Sequence, residues 1–159
     1  KSKCALIAIC FHASTLMSAT AQWTGATSGV WTTDSNWNPM THPSLPGDIA
    51  NLTLPSAMNT TMTLSPAVIV ISLQQLNIDI ATGYTINPGA GPGSFNFSGG
   101  PAIINVTTAN GSSTNVINAA VALTNPLTIS QNSALPLTLT GIISGGIGQP
   151  ITIQPSSGG

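Results

Sequence analysis

The stretch "LTISQNSALPLTLTGIISGGIGQPITI", residues 127–153, repeats one short unit three times. An apolar residue, a threonine and a second apolar residue stand together at 127–129, 137–139 and 151–153, and segments rich in Gly, Pro, Asn and Ser separate these runs. Alternation of apolar and polar residues is the pattern of a strand with one buried face. The stretch therefore predicts short strands joined by irregular turns.

Strands this short favour a solenoid. The typical strand of a globular protein has about five or six residues. In a parallel β-helix each coil contributes a few shorter strands, and their apolar side chains stack into one continuous core. We therefore predict an all-β fold built as a parallel β-helix. A β-sandwich of the jelly-roll or immunoglobulin type is the alternative that the pattern leaves open.

The same signal occurs through most of the chain. Runs that favour strand occur at 49–54, 68–73, 76–80, 103–106, 121–129, 135–143 and 151–153. Clusters of Gly and Pro punctuate them, and no window combines helical periodicity with capping signals. We assign residues 49–159 to β-helical coils. Because no capping segment closes this series, we expect the coils to be truncated and the chain to be the N-terminal piece of a longer protein or an incomplete gene product.

Charge is nearly absent from this chain. Apolar residues make up 42% of it and charged residues 3%, with no Arg and no Glu; the five charged residues are Lys1, Lys3, Asp34, Asp48 and Asp79. Nucleic acid and anionic membrane surfaces are bound by clustered cations, so neither is an expected partner. The apolar content argues for an ordered chain, because disordered chains are usually poor in Val, Ile and Leu.

The first 21 residues have the pattern of a cleavable export signal. Lys1 and Lys3 precede the apolar run Cys4–Phe11, and Ala19-Thr20-Ala21 offers small residues for a signal peptidase. The run is shorter than the roughly 18 residues that a membrane-spanning helix needs. We predict cleavage after Ala21 and a secreted or cell-surface location. Cleavage would remove both cysteines, Cys4 and Cys10, and exclude disulfides and cysteine chemistry.

Residues 22–48 hold all three tryptophans, Trp23, Trp31 and Trp37. One interpretation is a cap, in which the indole rings pack over the open end of the first coil. The second is a carbohydrate platform, in which the ring faces stack on sugars while Asp34, Asn36 and Asn38 bind hydroxyl groups.

The segment "WTGATSGVWTTDSNWNP" (23–39), followed by "LPGDIANLTL" (45–54) and later "LPLTLTGIISGGIGQPITIQPSSGG" (135–159), resembles the opening of bacterial surface proteins built from autotransporter-associated β-strand repeats. The opening positions are occupied by Trp23, Gly25, Trp31, Asn36, Trp37, Pro46, Gly47 and Asp48, and the repeat by Leu137, Leu139, Gly141, Ile143 and Gly145. The chain departs from the family after the last glycine, where a turn containing lysine usually follows.

The resemblance implies a right-handed parallel β-helical passenger, exported and displayed at the bacterial outer surface. We therefore expect a non-enzymatic stalk or adhesin-type segment. Its expected partners are a host or neighbouring-cell surface or an extracellular polysaccharide, and it would meet a membrane only through export or a missing C-terminal part. The alternatives are a carbohydrate-binding module that uses the tryptophans and a subunit of a self-assembling extracellular fibre.

Catalytic and metal-binding residues are scarce. A Ser-His-Asp triad can be drawn from His42, Asp48 and one of many serines, but no G-x-S-x-G motif marks a nucleophile. Asp34-x-Asn36-x-Asn38 places oxygens at alternate positions, as calcium loops do, but it lacks their glycine and their glutamate. We expect no enzymatic activity, no metal and no cofactor.

Overall fold

The computed structural model of the chain describes residues 18–54, 57–79, 83–107, 114–133 and 136–155. Most of the predicted export segment, residues 1–17, lies outside them. The strands are β1 (Thr20–Trp23), β2 (Trp37–Asn38), β3 (Ile49–Leu52), β4 (Thr61–Thr63), β5 (Val70–Leu73), β6 (Gln75–Ile78), β7 (Thr85–Asn87), β8 (Ser94–Phe97), β9 (Ala102–Val106), β10 (Asn115–Ile117), β11 (Ala120–Leu123), β12 (Leu127–Gln131), β13 (Leu137–Leu139), β14 (Ile143–Gly145) and β15 (Ile151–Pro155). One 3-10 turn, Asp34–Asn36, precedes β2.

The strands form three sheets that run the length of a β-helix of about five turns. Sheet A has the order β15-β12-β9-β6-β3-β1-β2, sheet B β13-β10-β7-β4 and sheet C β14-β11-β8-β5. Each full coil gives one strand to each sheet, and neighbouring coils pair in parallel. The exception is β2, which pairs antiparallel with β1. The all-β parallel β-helix is confirmed, and the sandwich alternative is wrong, because sheet neighbours are successive coils.

The core is a set of stacked files of apolar side chains. In sheet A the in-register file runs through Ala21, Ala50, Leu76, Ile104 and Ile129, all of them buried. Full burial of an aliphatic side chain of Val or Leu size contributes about 1.5–3 kcal/mol. Because every coil repeats these positions, stability accumulates along the axis of the β-helix.

The corners of the coils divide two of the predicted runs. The run 121–129 forms β11 and β12 with a corner between them, and 135–143 contains only β13 and the first residue of β14. A three-sided coil must turn after every three to five residues, so an apolar run longer than that spans a corner. Six short strands lie outside the predicted runs, because two to four residues are too few to show a clear alternation; they are β1, β2, β4, β7, β8 and β10.

Polar ladders run along the outside of two sheets. On sheet A the Nδ2 of Asn77 donates to Oδ1 of Asn51 at 2.7 Å, and the Nδ2 of Asn105 donates to Oδ1 of Asn77 at 2.8 Å. On sheet B the Nδ2 of Asn118 donates to Oδ1 of Asn87 at 2.7 Å. Stacked amides of this kind add side-chain hydrogen bonds to the backbone pairing between coils.

Some corners require glycine. Gly89, between β7 and β8, has φ +96°, and a Cβ built on it would lie 1.9 Å from the carbonyl oxygen of Ser65 in the preceding coil. Only glycine adopts this backbone region without strain. The corner at Gly89 can therefore lie close to the corner at Ser65, which keeps β7 and β8 in register with β4 and β5 of the preceding coil.

We expect Gly89→Ala to destabilise the β-helix by at least about 1–2 kcal/mol, because the new Cβ would meet backbone and the φ is left-handed. Gly146→Ala is the matched control, since nothing lies within 4 Å of its Cβ position. Urea unfolding of both variants measures the difference. Equal midpoints would show that this corner relaxes freely.

Candidate functional site

The three tryptophans form one buried cluster at the N-terminal end of the β-helix. Trp23 and Trp31 are 0% exposed and Trp37 is 2% exposed. The rings of Trp23 and Trp37 meet edge to face with centroids 5.1 Å apart, as do those of Trp31 and Trp37 at 4.7 Å. Trp31 continues the contact to Phe95 at 5.3 Å. The cluster therefore joins the first turn to the aromatic part of the core.

Each indole N–H donates to a backbone carbonyl. Trp23 Nε1 reaches the oxygen of Asn59 at 2.8 Å, Trp31 Nε1 that of Pro43 at 3.0 Å, and Trp37 Nε1 that of Trp31 at 2.7 Å. A buried indole needs such a partner, because an unmade hydrogen bond leaves the cost of desolvating the donor. These bonds fix the ring orientations, and the bond from Trp23 ties the cap to the loop before β4.

The path of the chain explains the burial. β1 lies in sheet A, Val30 makes a parallel bridge to Thr63 beside sheet B, and β2 returns antiparallel against β1. The segment thereby folds across the end of the first coil. Tryptophan is suited to this position because one side chain covers a large part of the coil's cross-section.

The carbohydrate platform drawn from the sequence is not assembled in this structure. Stacking on a sugar requires an exposed ring face, and Trp23, Trp31 and Trp37 have none. Their arrangement corresponds to the cap interpretation instead. Sequence reasoning could not separate the two, because a tryptophan in a polar segment has the same pattern whether its ring points inward or outward.

Asn36, a predicted sugar ligand, is buried and uses its amide within the cap. Its Oδ1 accepts from the backbone N–H groups of Thr27 and Ser28, both at 2.9 Å. Its Nδ2 donates to Ser28 Oγ at 3.0 Å and to the carbonyl of Val30 at 2.8 Å. Asn36 therefore holds the loop between β1 and Trp31, and its amide is not available to a ligand.

Of the two remaining predicted ligands, Asn38 is exposed in β2, and Asp34 is exposed and pairs with His42. Its Oδ1 lies 2.6 Å from His42 Nδ1 and accepts the His42 backbone N–H at 2.9 Å. The hydrogen bonds from the backbone and then the ring of His42 lower the pKa of the Asp34 carboxyl from 3.8. The triad drawn from the sequence paired His42 with Asp48, whereas the structure pairs it with Asp34.

Asp48 joins the cap to the first full coil. It is 2% exposed. Its Oδ1 accepts from the N–H of Ala19 at 2.8 Å, and its Oδ2 accepts from the N–H groups of Ser44 and Leu45, each at 2.9 Å. The sequence showed Asp48 only as part of a Pro-Gly-Asp motif. Its carboxylate is occupied by backbone donors and serves the fold.

β1 extends across the predicted cleavage point. Thr20 and Ala21 pair with Ile49 and Ala50, and the N–H of Ile49 donates to the carbonyl of Ala19 at 2.8 Å. Cleavage after Ala21 would leave Gln22 and Trp23 as the remainder of β1. The predicted cleavage stays a prediction, and it would cost these contacts.

At the opposite end the last coil exposes side chains that face the core elsewhere. Ile143 is 38% exposed, Ile151 40% and Ile153 68%. An apolar cavity lies there; its lining consists of Ile129, Gln131, Pro136, Leu137, Leu139 and Ile153. Among the described residues, the tryptophans therefore cover the core at the N-terminal end, whereas the side chains of the last described strand, β15, are exposed.

The part of the chain that the structure describes lacks both a metal-binding group and a membrane-spanning helix. Its His, Cys, Asp and Glu side chains do not form a group of three that could hold a metal ion. It contains no helix with the length and apolar character needed to cross a membrane.

Comparison with protein-family models, with curated proteins and with solved structures returns no match for this chain. The resemblance to autotransporter-associated repeats therefore rests on the motifs in the sequence.

We expect Trp37→Ala to destabilise the fold by about 3–5 kcal/mol, because it removes the central ring of the cluster and leaves a cavity. Val68→Ala is the control, since Val68 is 71% exposed. Urea unfolding followed by circular dichroism measures both. A Trp37→Ala variant with an unchanged midpoint would contradict the cap.

We expect the Asp34–His42 contact to stabilise the loop above about pH 4 and to be lost as pH falls below that, because the pKa of Asp34 is lowered on folding. Wild type and Asp34→Asn should differ in unfolding midpoint at about pH 7 and converge at about pH 2. A difference that does not change with pH would contradict a role for the ionised carboxylate.

Proposed function

We propose that this chain is a segment of an exported, non-enzymatic surface protein in which the β-helix serves as a stalk or adhesin-type passenger. The observation that carries the proposal is the stack of coils, capped at its N-terminal end and free of side-chain charge after Asp79. Such a stack extends in one dimension by adding coils, and each coil needs only its neighbours for stability. The export pattern in residues 1–21 supports the location.

The outer faces suit an uncharged polar partner. Asn51, Asn77 and Asn105 form a row of amides on sheet A, and each hydrogen bond of the ladder uses one of the two N–H donors of an amide. The second donor can meet a hydroxyl or a carbonyl on another molecule. An extracellular polysaccharide or the glycan-covered surface of a host or neighbouring cell offers both groups.

The positions and hydrogen bonds of the three carboxylates support a non-enzymatic role. Asp48 accepts three backbone N–H groups and Asp34 pairs with His42. Asp79 is exposed beside the end of β6. The three carboxylates are therefore not gathered for acid–base work, which in glycosidases requires two of them across the scissile bond.

Export is tested with the full chain fused at its C-terminus to alkaline phosphatase, an enzyme that becomes active only outside the cytoplasm, in a Gram-negative host. We expect activity at least about tenfold above that of a variant carrying Ile7→Asp and Ile9→Asp, which interrupts the apolar run. Equal activities would contradict export. N-terminal sequencing of the exported form locates the cleavage site, expected after Ala21.

Adhesion is tested by binding the exported protein to insoluble polysaccharides and to cells. Retention that persists in a variant with Asn77→Ala and Asn105→Ala would exclude the amide row as the contact surface. A protein that is exported but retained by no surface would support the stalk over the adhesin.

A further inference from the structure

The outward face of sheet B carries a regular array of threonines. In each of its four strands two outward residues flank an inward apolar one, and the parallel register aligns the outward residues in two rows. Five of the eight positions are threonine, and Val116 has the same branched shape with a methyl group in place of the hydroxyl. The first row is Thr61, Thr85, Val116 and Thr138, and the second is Thr63, Asn87, Asn118 and Thr140.

The backbone sets the spacing of this array in two directions. Neighbouring strands of a sheet lie about 4.8 Å apart, which is the step along each row. Alternate residues of one parallel strand lie about 6.6 Å apart, which is the distance between the two rows. The face therefore repeats the same two distances from β4 to β13.

Most of the threonine hydroxyls on this face are available to water. Four of the five make no hydrogen bond within the part of the chain that the structure describes; they belong to Thr61, Thr63, Thr85 and Thr138. The fifth, that of Thr140, donates to Oδ1 of Asn118. The side chains are exposed or half-buried, so a flat object laid on sheet B would meet hydroxyl and methyl groups together.

The array is also rigid and uncharged. Threonine and valine are branched at Cβ, which restricts χ1, and the hydrogen bond from Asn118 to Asn87 links two coils at 2.7 Å. Side chains that are already fixed lose little conformational entropy when they bind. None of the eight outward residues carries a charge that would hold a hydration shell of its own.

We propose that the outward face of sheet B binds the surface of ice. A prism face of ice is a flat lattice of oxygen atoms, and its two repeats are close to the two spacings of this array. The threonine hydroxyls exchange hydrogen bonds with lattice water, and the methyl groups lie in the gaps between lattice positions. Each contact is weak, but the contacts act together because one rigid face carries all of them.

Sheet A does not offer the same surface. One of its outward rows runs through Ile49, Gln75 and Ile103, whose side chains differ in length and chemistry. Such a row is neither flat nor a repeating series of hydroxyl groups. The inference therefore concerns sheet B alone, and it does not depend on export or on adhesion.

Thermal hysteresis, the gap between the melting and freezing temperatures of an ice crystal in a protein solution, tests the proposal with the full chain. We expect a gap that widens with protein concentration and crystals that develop facets. Thr85→Lys should remove most of the gap, because a long charged side chain in the middle of the first row prevents flat contact. Thr128→Lys is the matched control, since it makes the same change at a half-buried outward threonine of sheet A. It should leave the gap unchanged.

Urea unfolding of the variants separates a loss of ice binding from a loss of folding. Thr61→Lys repeats the test in the same row at an exposed position, where a lysine should leave the unfolding midpoint unchanged. A folded Thr61→Lys protein with a reduced gap would support the proposal even if Thr85→Lys were destabilised.

Three results would overturn the proposal. The first is the absence of thermal hysteresis at every concentration. The second is a gap that persists in both Thr85→Lys and Thr61→Lys, or that only Thr128→Lys removes, which would assign ice binding to another face. The third is retention by an insoluble polysaccharide that Thr85→Lys abolishes, without any thermal hysteresis, which would assign the face of sheet B to a sugar polymer.

Discussion

The backbone edge of each coil is the constraint on which this structure depends. A strand of three to five residues cannot satisfy its own N–H and C=O groups, so each coil is stable only against the coil before it and the coil after it. The parallel register from β3 through β15 meets this need along the whole chain. At the N-terminal end of the described coils, the cap segment takes the place of a neighbouring coil.

At the N-terminal end the requirement is met by aromatic packing and one carboxylate. Trp31 and Trp37 cover the core. The Asn36 side chain makes hydrogen bonds with backbone N–H and C=O groups of the loop that precedes Trp31. Asp48 gathers backbone donors from both sides of the first corner. A chain with almost no charge thus uses one of its few carboxylates as a buried hydrogen-bond acceptor.

The outer surface follows from the same repetition. Residues that face outward in one coil lie above their counterparts in the next, so Asn51, Asn77 and Asn105 form a ladder 26 and 28 residues apart in sequence. Their amides stabilise the stack and also define a regular uncharged surface. A stalk needs the first property and an adhesin needs the second, and the two are compatible because an amide has more hydrogen-bonding groups than the ladder uses.

The sequence by itself determined the all-β class and favoured a solenoid, because runs such as Leu137–Leu139 alternate with turns too often for longer strands. The parallel pairing of successive coils then excluded the sandwich. The sequence also indicated that residues 22–48, which hold all three tryptophans, differ from the coils that follow. The tertiary structure decided what local pattern does not encode: the corners that divide 121–129, the inward direction of Trp23, and the pairing of His42 with Asp34 in place of Asp48. The first two depend on which coil lies next to a residue, and that neighbour is more than 20 residues away in sequence for most of the core. The third joins residues eight apart in sequence and depends on how the cap segment folds.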